Sequence, residues 1–119
     1  MVKEAVGDDT AIAVRMSTDM FMGEAGTQLE RDCVPFVQLV DHLVDVWDIN
    51  VSGISEWGED ATPSRFYPSG RQLPWQARIK EVSKKPVLGV GRWTSPDLMV
   101  DAIKSGKLDI IATCRPSIS

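Results

Sequence analysis

The sequence predicts an α/β fold built on a parallel sheet, and three observations carry that expectation. Four short apolar runs, each containing β-branched residues, recur along the chain: residues 10–15 (TAIAVR), 46–51 (VWDINV), 86–90 (PVLGV) and 108–113 (LDIIAT). Such runs suit strands buried on both faces. Helical patterns fill the gaps between them, giving the order β-α-β-α-β-α-β, which implies parallel pairing through crossover helices. No Gly-rich turn follows the first run, where a dinucleotide-binding sheet places its phosphate loop. Four strands and three helices make half of a (β/α)8 barrel. The chain therefore reads as a partial TIM (β/α)8 barrel, with a small doubly wound sheet as the alternative that the missing turn disfavours.

Each helix has its own signature. Residues 31–45 carry Val34, Val37, Leu39, Val40, Leu43 and Val44 at spacings near three and four, with Asp41, His42 and Asp45 on other faces. Pro35 fits only in a first turn, so this helix is expected to start near Asp32. Residues 74–83 form the second pattern, opened by Pro74 and closed before Pro86. Residues 95–105 form the third: Ser95 is an N-cap, Pro96 follows it, and Gly106 is placed to terminate the helix. A sheet of four parallel strands needs both faces covered and its edges managed. The sequence stops at Ser119 without a covering helix, so its ends are read as cuts through a larger domain.

Composition narrows the function classes. The 119 residues are 43% apolar and 25% charged, with a net charge of −4, an ordinary globular balance. An acidic chain without a basic face disfavours nucleic acid as a partner. The one adjacent lysine pair, Lys84–Lys85, is expected to end a helix. Two distant cysteines, Cys33 and Cys114, and the single histidine, His42, make a protein-only metal site untenable. Both thiols are expected to be reduced and set in apolar surroundings, and His42 to face solvent. No run approaches the roughly 20 apolar residues of a membrane span. Residues 1–9 lack a signal-peptide core, so a cytoplasmic location is expected.

Barrel active sites lie at the C-terminal ends of the strands, so the residues following each run are the candidates. Arg15 ends the first run; its guanidinium fork needs a partner, although a solvated surface arginine is the ordinary alternative. The long segment 52–73 follows the second run and contains Trp57 and Asp60 within EWGED. An indole beside carboxylates can cage a cation, or it can simply pack on the rim. Gly91 and Arg92 follow the third run, where a glycine permits close backbone approach and an arginine supplies charge for phosphate. Arg115 follows the fourth. Two adjacent strand ends that each carry an arginine suit a barrel phosphate site; salt-bridged rim arginines are the bland alternative. Trp47 and Trp75 read as packing residues, and Trp93 either stacks near a ligand or covers the rim.

These segments also carry a family resemblance. Residues 56–67 (EWGEDATPSRFY), 83–92 (SKKPVLGVGR) and 109–118 (DIIATCRPSI), together with 13–15 (AVR) and 43–49 (LVDVWDI), resemble the barrel of trimethylamine and dimethylamine dehydrogenases. These enzymes form a branch of the old yellow enzyme family of NADH:flavin oxidoreductases. The resemblance implies barrel strands five to eight, the C-terminal half of a flavin-binding barrel spanning residues 1–119, with FMN at its top. It implies Arg15 at the flavin's pyrimidine edge, in a catalytic as well as a cofactor-binding role. Gly91, Arg92 and Arg115 match the phosphate region. Trp57 matches one wall of an aromatic bowl for an alkylammonium substrate. Asp60 matches the carboxylate that orients a His/Tyr pair in the other half of the barrel. An iron–sulfur cluster is expected only downstream, since the cysteine cluster that would hold it is absent here.

The implied activity is FMN-dependent oxidation of a small alkylamine, with electrons passed to the flavin. Two alternatives remain. One is an ene-reductase or dienoyl reductase of the same superfamily, which would not need a cation cage. The other is an inert half-barrel that at most binds phosphate ligands and closes by pairing with itself as a homo-oligomer. On either view the isolated 119 residues are expected to be inactive.

Overall fold

A computed structural model describes residues 2–53, 61–114 and 118. Four strands, β1 (Ala13–Ser17), β2 (Val46–Asn50), β3 (Val87–Gly89) and β4 (Ile110–Ile111), form one sheet in the order β1-β2-β3-β4. Every neighbouring pair is parallel. Helices α2 (Val34–Val40), α3 (Leu73–Val82) and α4 (Pro96–Lys104) make the crossovers, and a short α1 (Val2–Val6) precedes β1. This is the architecture of a partial (β/α)8 barrel, as the pattern predicts.

The strands alternate between two environments. Trp47, Ile49 and Val87 are fully buried and pack with Val37 of α2 and Ile79 of α3. Trp47 also meets Phe36 edge-on, with ring centroids 6.3 Å apart. Truncating a fully buried tryptophan of this kind costs about 3–5 kcal/mol. The opposite face carries Arg15, Asp48, Leu88 and Ile110 in one register row, and none of these four is buried. Helices thus cover one face, while the face that lines the interior of a barrel is open.

The N-terminal ends of the strands are tied by carboxylates. Asp45, just before β2, accepts from the Ile12 amide at 2.8 Å. Asp109, just before β4, repeats the arrangement with the Val87 amide at 2.7 Å and Lys80 Nζ at 2.7 Å. Asp41 accepts from Trp47 Nε1 at 2.9 Å, Ser83 Oγ at 2.6 Å and the Lys84 amide at 3.0 Å. Burial pushes the Asp41 and Asp109 carboxyls up, but their donors outweigh it and hold both below the usual carboxylate value. In barrels this end serves stability.

Several expectations need correction in detail. β1 begins later than the apolar run and runs past its end to Ser17, so Arg15 sits within the strand rather than after it. Ile12 stands at the entry, where Asp45 holds its amide, and the ladder runs on to pair Ser17 with Asn50. The helix expected over 31–45 is three pieces: a π-turn (Leu29–Cys33), α2, and a 3-10 turn (Asp41–Leu43). Pro35 does fall in the first turn of α2. Lys84 and Lys85 follow α3 rather than end it. Ser95 caps α4 by accepting from the Leu98 amide, and Gly106 adopts φ +70° just beyond it. Cys33 is buried as expected, whereas Cys114 is exposed rather than set in an apolar environment. His42 is exposed.

Candidate functional site

The C-terminal ends of the strands and the open inner face enclose a cavity of about 800 Å3. Arg15, Asp48, Arg65, Gly91, Arg92 and Cys114 are among its lining residues. Ligand sites fall in a range of roughly 300–1,000 Å3. Among the described lining residues there are three guanidinium groups and one carboxylate, although the whole chain carries a net −4. The cationic groups are therefore concentrated in the pocket, which draws in an anionic ligand.

The turn after β3 is held in an unusual conformation. Gly91 has φ +115° and Arg92 has φ +55°. The glycine is required twice over: a side chain rarely adopts such a φ, and a Cβ there would lie 2.7 Å from Gln72 Cγ. The Arg92 carbonyl accepts from the Gly70 amide at 3.1 Å and from Ser69 Oγ at 3.1 Å. Ser69 Oγ in turn accepts from the Thr94 amide at 3.0 Å. The Arg92 guanidinium donates to the Arg65 carbonyl at 3.1 Å. Trp93 is buried where it helps to line the pocket, and its indole N–H donates to the Gly89 carbonyl. The pocket wall is thus anchored in the core.

Two buried glutamines set the neighbouring backbone. Gln72 Oε1 accepts from the Val51 amide at 3.2 Å, and Gln72 Nε2 donates to the Ala61 carbonyl at 3.3 Å. It therefore ties together the two flanks of the segment between β2 and α3. Gln76 Nε2 donates to the carbonyls of Ile49 and Val90, joining the ends of β2 and β3.

Of the residues singled out from the sequence, the structure brings Arg15, Gly91 and Arg92 to one pocket. Trp57, Asp60 and Arg115 lie outside the described residues. The sequence reading missed Asp48, Ser69, Gln72 and Gln76. Asp48 had a visible signal: Val46, Asp48 and Asn50 alternate with Trp47 and Ile49 in period two, which puts the carboxylate on the inner face. The groups present fit an anionic, phosphate-bearing cofactor: a cationic cavity of adequate size, with a glycine turn at its wall.

The model of the NADH:flavin oxidoreductase / NADH oxidase family matches residues 1–119. A dimethylamine dehydrogenase from Hyphomicrobium sp. (strain x) is 45% identical over 99% of this chain and 16% of its own length. A cinnamate reductase from Clostridium sporogenes is 28% identical over 99% of this chain and 20% of its own. A solved structure, 6-hydroxypseudooxynicotine amine oxidase from Pseudomonas geniculata N1, superposes with a TM-score of 0.82 at 43% identity, covering 98% of this chain and 17% of that one. The chain spans about a sixth of the length of the dehydrogenase and the oxidase. With a family match over its whole length, the chain belongs to the NADH:flavin oxidoreductase / NADH oxidase family.

Proposed function

We propose that these residues supply the C-terminal half, strands five to eight, of an FMN-binding barrel in a cytoplasmic amine dehydrogenase. The observation that carries this reading is the cationic cavity at the strand ends, which gathers Arg15, Gly91 and Arg92. FMN, when bound, supplies the acceptor for the electrons removed from an amine carbon. The chain's own residues do the holding. Arg15 presents a cation on the inner face, suited to stabilising negative charge that develops next to it. Gly91 shapes the wall, and Arg92 and Arg115 neutralise a phosphate. Trp57 offers an indole face to an alkylammonium group. Asp60 fixes the tautomer of a histidine supplied from elsewhere in the barrel. An iron–sulfur cluster, on this reading, belongs downstream of residue 119.

The amine assignment is favoured over an ene-reductase by the pattern of relatives. The dehydrogenase is 45% identical and the amine oxidase 43%, against 28% for the cinnamate reductase. The partner is a small alkylamine, and neither nucleic acid nor membrane has a part. The test is steady-state turnover of the complete protein on dimethylamine, trimethylamine and an enone. Amine-dependent reduction of an artificial electron acceptor supports the reading. Turnover of the enone alone transfers the chain to the reductase branch. Bound phosphate ligand with neither activity returns it to the inert alternative.

A further inference from the structure

We propose that Asp48 is a positioning residue: its carboxylate holds the Arg15 guanidinium on the inner face and tunes how much positive charge that arginine presents to a ligand in the cavity. The proposal rests on the reading of the cavity as a flavin site.

Register creates the pair. Arg15 of β1 and Asp48 of β2 are directly opposed partners in a parallel ladder, so both side chains leave the same face of the sheet. Their row continues through Leu88 and Ile110, which offer neither charge nor hydrogen bonds. Asp48 is the only acidic residue in the four strands, and both members of the pair line the cavity.

The contact is loose and asymmetric. Arg15 Nε lies 3.7 Å from Asp48 Oδ2, with the arginine side chain 64% exposed and the aspartate 24%. That separation is an ion pair and too long for a hydrogen bond. Asp48 Oδ1 is shielded from solvent and has no hydrogen-bond partner among the described residues. A carboxylate oxygen in that condition carries an unmet demand for a donor. The other structural aspartates differ: Asp41, Asp45 and Asp109 each receive a backbone amide at the opposite end of the sheet. Among the described residues Asp48 therefore does none of the tying work those groups do. A guanidinium fork can serve both carboxylate oxygens at once. Arg15 is thus drawn toward Asp48 while its exposed side stays available to the cavity. The nearby negative charge also offsets part of the arginine's field.

The test uses the complete flavin-loaded protein with Asp48→Asn, Arg15→Gln and the double variant. FMN content and the midpoint potential of the bound flavin are read for each. Asp48→Asn is expected to keep stoichiometric FMN and to favour the reduced form about tenfold, which is about 30 mV upward for a two-electron couple. Arg15→Gln is expected to move the potential down. In the Arg15→Gln background the Asp48→Asn shift is expected to shrink by more than half, because Asp48 acts through the arginine. Asp48→Glu, which restores the charge, should return toward wild type. If Asp48→Asn fails to fold, Asp48→Ser is read in the same way and should give the same sign. An unchanged potential with FMN bound overturns the proposal alone, as does an equal shift in both backgrounds. A wild-type protein that takes up no FMN overturns both the proposal and the flavin reading beneath it.

Discussion

Gly91 is packed directly against the side chain of Gln72: a Cβ on the glycine would lie 2.7 Å from Gln72 Cγ and 2.9 Å from its Cβ. The same glutamine binds the Val51 amide and the Ala61 carbonyl. The turn after β3 and the two flanks of the segment after β2 are therefore set by one buried side chain. Replacing Gly91 with alanine forces both a strained φ and a steric overlap. Gly91→Ala is expected to destabilise by about 1–3 kcal/mol and to weaken FMN binding. Urea denaturation and flavin titration check the two effects. A variant as stable as wild type would mean that the turn relaxes freely.

Gln72→Leu keeps the bulk and removes the polar ends. The buried Val51 amide then loses its acceptor, at a cost of about 1–3 kcal/mol. Because Gln72 also holds both flanks of the segment bearing Trp57 and Asp60, the Michaelis constant for the amine should rise while FMN content stays stoichiometric. A loss of stability with unchanged amine kinetics would restrict Gln72 to a structural role.

The carboxylates at the N-terminal ends of the strands make stability depend on pH. Asp41 and Asp109 titrate below their ordinary value of 3.8 in the fold. A depressed carboxylate contributes stability that is complete above the unfolded value and is lost as pH falls through the folded one. Stability is therefore expected to hold near pH 6 and to decline from roughly pH 5 downward. Asp109→Asn, which weakens the grip on Val87 and Lys80, should cost about 1–2 kcal/mol at neutral pH, discounted for partial exposure. It should also flatten the acid limb. Denaturant midpoints measured between pH 3 and 7 decide the matter.

The two thiols should react differently. Burial pushes the Cys33 thiol up to about 11, with the charges of Asp32 and Asp19 adding to it, and its sulfur lies 3.6 Å from the carbonyls of Ser17 and Thr18. Cys114 is exposed at the cavity. Iodoacetamide at pH 8 is expected to label Cys114 in the native protein and Cys33 only after unfolding. Bound FMN should slow the labelling of Cys114. Peptide mass mapping reads both sites.

The sheet and its crossovers were legible because buried strands are short apolar runs and because Pro35, Pro74 and Pro96 mark first turns. The end of β1 was hidden, since Ser17 pairs with Asn50 although neither is apolar. The breaks on either side of α2 were hidden for another reason: π and 3-10 turns keep apolar spacings near three to five, so periodicity does not separate them. At the site, Gly91 and Arg92 after β3 were readable from position alone, and Arg15 was readable as a candidate although it lies within β1. Gln72 and Gln76 were not. A glutamine at the start of a helix or within it is ordinarily a surface residue, and their importance lies in which backbone groups need partners in three dimensions. Asp48 lay between: its alternation within the second strand was readable, but its pairing with Arg15 needed the register.

In the complete protein, this cavity is proposed to hold a flavin phosphate and ring. The most direct measurement is FMN stoichiometry, by absorbance and by release on denaturation, for the purified complete protein and for its Arg15→Gln and Arg92→Ala variants. About one FMN per chain is expected in the wild type, with weaker retention in Arg92→Ala and a bound flavin of lowered potential in Arg15→Gln. A colourless wild-type protein that fails to take up added FMN would contradict the flavin reading, as would full retention with an unchanged potential in both variants.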